Sequence, residues 1–196
     1  MADNNNTLIL ASGSTYRREL LGRLGLAFEA WSPAIDESAR PGEAPRATAV
    51  RLARAKAEAG AARSPRAWII GSDQVADVDG RAEGKPGTLE NARRQLARLS
   101  GRTVHFHTAL CVMHAALARR HEHVVTTEVV FRKLDAAEIE RYLAREPALD
   151  CAGSAKSEGL GIALLERLTS DDPTALVGLP LAELAAILRG EGFAIP

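Results

Sequence analysis

Apolar and polar residues in the first half of the chain follow two different periods. The short apolar runs "LILA" (about 7–11) and "WIIGSD" predict buried strands, and the alternation in "FEAWSP" (28–33) predicts a half-buried strand. Apolar positions after "RREL" recur with helical spacing to about residue 24, and Gly25 is expected to end that helix. The alanine-rich stretch 47–62 predicts a second helix, ended by "SP". Strands and helices therefore alternate in this half.

The second half predicts an antiparallel arrangement. "VADVDGRAEGK" has the pattern of a hairpin, with Asp79 and Gly80 suited to a type I′ turn. Two long strands follow at about 104–113 and 122–131, joined by a polar and alanine-rich turn. Alternating strands and helices, followed by an antiparallel pair of strands, indicate an α/β fold with a mixed sheet.

Three further helices are predicted from their ends and apolar faces. In "TLENARRQLARLS", Thr88 is the expected N-cap, with Leu89, Leu96 and Leu99 on one side. In "LDAAEIERYL", Asp135 and Glu138 have the spacing of a capping box. A final helix is predicted over about 181–188, ending at Gly190.

Length, charge and cysteine content restrict the class of protein. The 196 residues predict one domain, 1–196, with two lobes around a cleft and a disordered tail at 1–6. Equal numbers of basic and acidic residues, 25 each, exclude a broad nucleic-acid-binding surface but allow a small anionic ligand. "MADNNN" has no apolar signal-peptide core, and no apolar run approaches the ~20 residues of a membrane span, so we expect a cytoplasmic protein. Cys111 and Cys151 are expected to be reduced and buried.

A loop of small polar residues separates the first predicted strand from the first predicted helix. Ser12, Gly13 and Ser14 lie in this loop, and Arg17 comes at the start of the helix. Free N–H groups at a helix N-terminus bind anions, and a guanidinium forms paired hydrogen bonds to phosphate. Arginine is unfavourable in a first helical turn unless an anion lies there. The stretch predicts a phosphate site; the alternative is that Ser14 only caps the helix and the arginine is solvated.

Carboxylates at two places in the chain, one of them next to the amide of Gln74, are candidates for binding a ligand or a metal. Asp73 and Gln74 follow an apolar strand, at whose carboxyl end open α/β sheets bind ligands. Asp36 and Glu37 lie in a loop, and Mg²⁺ takes one or two carboxylates together with water and phosphate oxygens. Asp73 is therefore a candidate metal ligand or general base. The alternatives are a turn-capping aspartate and a solvated acidic loop.

Two lysines and a glycine-rich segment are the remaining candidates. Lys85 lies between a glycine and a proline just beyond the predicted hairpin, which would aim its ammonium at a fixed point. Lys56 lies among alanines on the second helix. The segment "CAGSAKSEGLG" (151–161) carries Lys156 and Glu158, and its glycines permit close approach to a ligand. The alternatives are two surface lysines and a simple bend.

Two of the histidines are candidate metal ligands, but no third His or Cys lies near them in the sequence. His105 and His107 alternate on a strand and so share one face, which we expect to be solvated. The remaining histidines, His114, His121 and His123, are expected at the turn between the long strands.

The order of the motifs along the chain is more specific than any single motif. "LASGSTYRRELL", "IDE", "ARAKA", "GSDQV", "GKP", "CAGSAKSEGLG" and "LVGLPL" together resemble the Maf family of nucleoside triphosphate pyrophosphatases, over about residues 8–192. The resemblance implies an elongated mixed α/β fold with flanking helices and a central cleft, related to the inosine triphosphate pyrophosphatases. It also implies a cytoplasmic enzyme that needs a divalent metal, Mg²⁺ or Mn²⁺, in a family whose members often form homodimers.

The resemblance assigns roles to the candidate residues. It implies that the catalytic residues are Asp73, Lys85, Glu37 and Lys56, of which Glu37 and Asp73 would bind the metal. The usual family opening is Ser-x-Ser-Pro-Arg-Arg, which Ser12, Ser14 and Arg17 match as expected substrate-binding residues. Thr15 replaces the proline of that motif.

Three departures from the usual family pattern point to one branch. Tyr16 stands where the first arginine usually falls, Gln74 follows the aspartate, and Glu158 lies in the late loop. All three look like the branch that hydrolyses 7-methyl-GTP, whereas the pyrimidine-specific branch has threonine and glutamine at the last two positions. We therefore expect hydrolysis of 7-methyl-GTP to 7-methyl-GMP and pyrophosphate. The alternatives are a dTTP/UTP pyrophosphatase and a nucleotide-binding regulator of septum formation with little turnover.

Overall fold

One mixed sheet organises the part of the chain that the structure describes. The computed structural model describes residues 7–196, so the tail expected to be disordered at 1–6 lies outside the described residues. The strand order is β2-β1-β3-β5-β6-β7, with β4 paired to β3. The strands are β1 (Leu8–Ala11), β2 (Glu29–Trp31), β3 (Trp68–Val78), β4 (Arg81–Glu83), β5 (Thr103–His114), β6 (Arg119–Phe131) and β7 (Leu165–Thr169). β1 runs parallel to β2 and β3, and the pairs from β3 to β7 are antiparallel. The predicted mixed α/β class is confirmed.

Helices cover both faces of this sheet. They are α1 (Thr15–Gly22), α2 (Pro45–Arg63), α3 (Leu89–Leu99), α4 (Ala136–Arg145) and α5 (Leu181–Gly190). α1 and α5 pack on the face that carries Trp68 and Ile70, and α2 packs on the face that carries Ile69. α3 and α4 enclose a separate apolar cluster around Ala76 and Val78. Over residues 7–196, no helix has both the length and the apolar character that a membrane crossing requires.

Polar residues interrupt the middle of β3, between two of these apolar clusters. Ser72 and Gln74 lie on the strand between Ile70 and Ala76, on the same side by strand alternation. Asp73 is directed to the other side, toward α2. Because buried polar groups need hydrogen-bond partners, this interruption indicates a part of the sheet built for something other than packing.

A close approach of α2 to β3 defines one side of that region. A Cβ on Gly71 would lie 2.2 Å from the carbonyl oxygen of Ala53, so only glycine fits there without displacing the helix. The facing side of α2 consists of small buried residues such as Ala53 and Ala57. The short distance between the two backbones lets Lys56 reach the strand.

The local signals for caps and turns are confirmed. The Thr88 side chain accepts a hydrogen bond at the start of α3, and Asp135 and Glu138 form both bonds of a capping box at α4. Asp79 and Gly80 have φ values of 52° and 79°, as a type I′ turn requires.

Some element boundaries differ from the predictions. β3 continues for 11 residues, because β5 pairs along it beyond the short apolar run. β7 was not predicted, since its sequence "LERLT" is largely exposed and has little apolar alternation. α1 ends at Gly22 rather than near residue 24. Leu89, the first residue of α3, is 41% exposed and does not share the buried face of Leu96 and Leu99.

The histidine predictions were wrong in two respects. His107 is buried rather than solvated, with its ring nitrogens 3.2 Å from an Asp77 oxygen and 3.0 Å from the Thr126 hydroxyl. Because the long strands extend further than expected, the connecting turn is short and the other histidines lie on the strands themselves: His114, His121 and His123. His114 is buried, with its ring 5.1 Å from the ring of Trp68.

Both cysteines are free thiols, as predicted. Cys111 is buried, and burial raises the pKa of its thiol to about 12. Cys151 is only half-buried rather than buried, and desolvation raises the pKa of its thiol to about 11. Neither thiol has the lowered pKa of a nucleophilic cysteine.

Candidate active site

Each residue to which the resemblance assigns a role lies on the wall of one of two adjoining cavities, whereas the candidates Asp36 and Lys156 line neither. The larger is a cleft of about 920 Å³, and the smaller is a pocket of about 110 Å³. The cleft is lined by Ser12, Ser14, Tyr16, Arg17, Glu37, Lys56, Asp73, Gln74 and Lys85, and Glu158 lines the pocket. The two cavities share part of their walls, including Tyr16, Gln74 and Lys85. The structure thus brings these residues together, and their roles stay predictions.

The opening loop connects β1 to α1 at one end of the cleft. The Ser14 hydroxyl caps α1 by accepting from the backbone N–H of Arg17 over 3.4 Å. The Ser12 hydroxyl accepts from the Ser14 N–H over 3.2 Å. The capping role is therefore confirmed, and it orders the loop on the cleft wall. Arg18, the next residue, is exposed.

Arg17 is half-buried and held by hydrogen bonds, rather than free on the surface as in the alternative. Its Nε donates to the carbonyl oxygen of Gly178 over 2.7 Å, and its Nη1 donates to the Ser12 hydroxyl over 3.4 Å. Burial lowers the pKa of Arg17, and the nearby carboxylates of Asp73 and Glu37 partly oppose that effect. A guanidinium at the first turn of α1, without an acidic residue in that turn, is well placed for an anionic ligand.

Lys56 forms the centre of the cleft's charged cluster. Its Nζ lies 2.7 Å from Asp73 Oδ1 and 2.8 Å from Glu37 Oε1. The Lys56 residue is 5% exposed, so the alternative of a surface lysine is wrong. Burial alone would raise the pKa of Glu37, but contact with Lys56, and then the charges of Lys85 and Arg17, lower it. The cluster is therefore a buried cation joining two carboxylates.

A divalent cation is compatible with this donor set. Over residues 7–196 no group of three or more His, Cys, Asp or Glu could hold a metal. Lys56 contacts one oxygen each of Glu37 and Asp73, which leaves a second oxygen on each carboxylate. Mg²⁺ commonly binds through one or two carboxylates, with water and substrate phosphates completing its shell. The two residues fit a metal that the substrate helps to bind.

The smaller pocket is apolar inside and polar at its rim. Phe106, Val129 and Phe131 line its interior, and the exposed Glu158 lies at its wall. Such a combination suits a flat heterocycle with hydrogen-bonding edges.

Gln74 presents only its amide oxygen to the cavities. Its amide nitrogen lies 3.0 Å from the Thr108 hydroxyl and within 3.0 Å of the carbonyl oxygens of Ala175 and Leu176. Because carbonyl oxygens only accept, the nitrogen must face them, which fixes the side-chain orientation. The amide oxygen is left as a hydrogen-bond acceptor.

Tyr16 uses its hydroxyl within the protein. The hydroxyl donates to Asp150 Oδ2 over 3.1 Å, and burial raises the pKa of the phenol. The Lys156 Nζ lies 5.4 Å from the centre of the ring. The ring, rather than the hydroxyl, is therefore the part of Tyr16 that is free for a ligand.

Sequence reasoning missed the residues that hold the glycine-rich segment. Glu146 Oε2 accepts from the N–H of Gly161 over 3.0 Å, and the Tyr142 hydroxyl accepts from the N–H of Lys156 over 3.1 Å. A Cβ on Gly159 would lie 2.2 Å from Glu146 Oε1, so a larger residue there would displace the Glu146 carboxylate. Tyr142 and Glu146 are four residues apart, so helical spacing next to a glycine-rich segment was the available signal.

A second missed element is the turn Ala175–Val177 with Gly178, which forms a wall of the pocket. Its carbonyl oxygens accept hydrogen bonds from side chains of β3 and β5: the Thr108 hydroxyl lies 2.8 Å from the carbonyl oxygen of Ala175, and the Ser72 hydroxyl lies 3.0 Å from that of Gly178. Polar side chains of β3 and β5 therefore donate hydrogen bonds to the carbonyl oxygens of this turn. The motif "LVGLPL" (176–181), which contains part of this turn, contributes to the family resemblance without an assigned role.

Comparison with known proteins agrees with the resemblance. The family model described as Maf-like protein matches residues 7–191. A protein of Xanthomonas axonopodis pv. citri named 7-methyl-GTP pyrophosphatase is 60% identical over 190 residues, covering 96% of this chain and 98% of the relative. A protein of Cupriavidus pinatubonensis with the same name is 55% identical over 186 residues, covering 95% of this chain and 94% of the relative.

The fold has a more distant counterpart among solved structures. A HAM1 protein from Coxiella burnetii superposes with a TM-score of 0.53 at 20% identity, covering 94% of this chain and 99% of that one. At that identity the likeness concerns the fold alone. Since the family model spans nearly the whole described chain and the relatives match it along their full length, this chain belongs to the Maf-like protein family.

Proposed function

We propose that this protein is a nucleoside triphosphate pyrophosphatase that hydrolyses 7-methyl-GTP to 7-methyl-GMP and pyrophosphate. The observation that carries the proposal is a cation-rich cleft that joins a small apolar pocket through shared walls. The cleft has the charge to bind a triphosphate, and the adjoining pocket has the apolar lining to bind a base. The names of relatives at 55–60% identity support the same activity.

Charge neutralisation is the main task of the phosphate cleft in this proposal. Cleavage between the α- and β-phosphates develops negative charge on the leaving pyrophosphate, and catalysis of phosphoryl transfer is mostly positioning and electrostatic stabilisation. Arg17 and Lys85, which both line the cleft, bind the polyphosphate in this proposal, and Lys56 places a third cation beside Asp73.

Asp73 is the proposed general base. Its carboxylate lies on the cleft wall, fixed by Lys56, where it orients the attacking water and accepts its proton. Glu37 and Asp73 would hold Mg²⁺ or Mn²⁺, which supplies Lewis-acid stabilisation of phosphate charge when bound. We include in the proposal a homodimeric enzyme of the cytoplasm that has no nucleic-acid partner, in line with the family resemblance and the balanced charge.

Acceptor groups at the pocket select the base. Guanine presents N1–H and an exocyclic NH₂ on one edge, and the Glu158 carboxylate accepts both. The amide oxygen of Gln74, which lines the same pocket, is a second acceptor. Uracil offers only one donor on that edge. Methylation at N7 makes the ring cationic, which favours a nearby carboxylate and an aromatic face such as that of Tyr16.

Pyrophosphate release measured across 7-methyl-GTP, GTP, dTTP and UTP, with Mg²⁺, Mn²⁺ or no metal, tests the proposal. We expect kcat/KM for 7-methyl-GTP to exceed that for UTP by at least about tenfold, because one charge-assisted hydrogen bond contributes about 1.5–3 kcal/mol. A preference for dTTP and UTP would instead support the pyrimidine-specific alternative. Binding without release of pyrophosphate from any nucleotide would support the regulator.

Exchanging the two selectivity residues should change the preferred base. We expect Gln74→Thr combined with Glu158→Gln to lower the ratio of kcat/KM for 7-methyl-GTP to that for UTP by at least about tenfold, since both guanine acceptors are altered. Glu166→Gln is the matched control, because Glu166 is an exposed carboxylate on β7 that lines neither cavity. An unchanged ratio in a variant that melts like the wild type would contradict the selectivity argument.

A further inference from the structure

A cluster of three side chains closes the boundary between the two cavities. The Tyr16 hydroxyl donates to Asp150 Oδ2, Lys156 Nζ lies 3.7 Å from Asp150 Oδ1, and the same ammonium lies 5.4 Å from the Tyr16 ring centre. We call these three residues the Tyr16 clasp. It links the start of α1 to the segment after α4, 134 residues along the chain.

The clasp is anchored to the folded core on both sides. On one side, Tyr16 lies in the first turn of α1, which Ser14 caps. On the other, the backbone N–H of Lys156 donates to the hydroxyl of Tyr142, a residue buried among α3 and α4. The Tyr16 ring is therefore held between two fixed points.

Only part of the clasp faces the cavities. Tyr16 and Asp150 line both cavities, whereas Lys156 lines neither. Lys156 thus acts on the ring from outside the ligand space. An ammonium this close to an aromatic ring is attracted to its face, and the Asp150 carboxylate offsets the positive charge.

We propose that Asp150 and Lys156 are positioning residues that hold the Tyr16 ring at the boundary of the two cavities, and so favour a cationic purine over a pyrimidine. The inference rests on the proposed function and names residues to which no role has been given. A ring already fixed loses little rotational freedom when the base binds, so the clasp strengthens binding without adding a contact. A purine offers the ring a larger face than a pyrimidine, and N7-methylation adds a charge that the ring attracts.

The charge balance of the clasp also affects selectivity. With Asp150 ionised, the ammonium of Lys156 is compensated. Burial would raise the pKa of Asp150, but the hydrogen bond from Tyr16 and the charge of Lys156 help to bring the pKa below its usual value. With Asp150 neutral, an uncompensated ammonium would lie beside a cationic base and repel it. Asp150 therefore has two separable effects, one through its hydrogen bond to Tyr16 and one through its charge.

The hydrogen-bond effect is tested by a double-mutant cycle of Tyr16→Phe and Asp150→Ala in the full chain. We expect Asp150→Ala to raise the KM for 7-methyl-GTP about three- to tenfold with kcat nearly unchanged, since ordering one side chain costs about 0.5–1.5 kcal/mol. UTP should respond much less. In the Tyr16→Phe background, the same substitution should have a clearly smaller effect, because the hydroxyl that it releases is already gone.

The charge effect is tested by Asp150→Asn, whose amide oxygen still accepts from Tyr16. We expect kcat/KM for 7-methyl-GTP to fall by about two- to fivefold relative to that for GTP, whose base is uncharged. This is the size of a partly exposed charge interaction. Asp171→Ala is the control, since Asp171 is an exposed acid that lines neither cavity.

The outcomes separate the clasp from the proposed function. The wild-type substrate profile tests the proposed function, and the changes caused by the variants, measured with the wild type's best substrate, test the clasp. Three results for Asp150→Ala would overturn the proposed role of the clasp. These are an equal loss of kcat/KM for all nucleotides, a loss confined to kcat, and an effect that is fully additive with that of Tyr16→Phe. Should Asp150→Ala melt well below the wild type, the isosteric Asp150→Asn decides: an unchanged ratio of 7-methyl-GTP to GTP activity then overturns it.

Discussion

Replacing Asp73 with asparagine should abolish pyrophosphate release and leave the fold intact. The amide keeps the size and the hydrogen-bonding oxygen of the carboxylate but cannot accept a proton from water. General-base catalysis contributes about 10²–10⁴-fold, and weaker binding of a divalent cation adds to the loss, so we expect kcat to fall by at least about 10³-fold. The measurement is kcat for pyrophosphate release from 7-methyl-GTP at saturating Mg²⁺.

Asp77→Asn is the matched control for this variant. Asp77 lies on the same strand and is also partly buried, but it contacts His107 and lines neither cavity. We expect it to keep near-normal kcat. Turnover of Asp73→Asn within a few-fold of the wild type would remove Asp73 from its proposed role and leave the water without a base.

Replacing Lys56 with methionine should lower both stability and activity. Asp73 is buried, and its carboxylate would lose its cation, which in buried pairs costs about 3–5 kcal/mol of unfolding free energy. The leaving pyrophosphate would also lose one of its three cations, for which we expect a fall in kcat of about 10²-fold. Urea unfolding and pyrophosphate release measure the two effects separately.

The acid dependence of stability should change in the same variant. In the wild type the pKa of Glu37 is below its usual value, so the ionised carboxylate stabilises the fold above about pH 4.3 and this stability is lost as pH falls through the lowered pKa. Without Lys56 the pKa of Glu37 should rise, and this contribution should shrink. Unfolding free energies at neutral pH and near pH 4 measure the difference.

Arg54→Met is the control for Lys56→Met. Arg54 lies on the same helix and pairs with Glu122 on an exposed surface, where an ion pair contributes about 0–1 kcal/mol. Equal stability losses in the two variants would mean that the buried position of Lys56 adds nothing, which contradicts the account of the charged cluster.

The sequence predicted the elements whose signals are local. The caps of α3 and α4 and the type I′ turn at Asp79 depend on a few neighbouring residues, so their patterns were sufficient. The candidate site residues were predicted as a group because the order of their motifs matches a family, and a family resemblance relates residues that are distant along the chain. Lys56 illustrates the limit of local signals. Its neighbouring sequence favours a surface lysine, and it is buried only because α2 approaches β3 closely at Gly71.

What could not be predicted depends on contacts between distant segments. Asp150 and Tyr142 support the site through hydrogen bonds to Tyr16 and Lys156, and nothing in their neighbouring sequence marks those partners. His107 was misassigned for the same reason, because its partners Asp77 and Thr126 lie on other strands. The weakly apolar strand β7 has no local signal and is defined by its pairing with β6.

The alternation of side chains along β3 has a consequence for how such an enzyme can diversify. Asp73 is directed toward Lys56 on α2, while its neighbour Gln74 bonds to the turn at Ala175 on the other side. The residues proposed for hydrolysis and for base choice therefore occupy successive positions of one strand without sharing hydrogen-bond partners. A lineage could exchange the nucleotide it accepts by substituting Gln74 and its surroundings, while the hydrolytic apparatus one residue away is inherited unchanged.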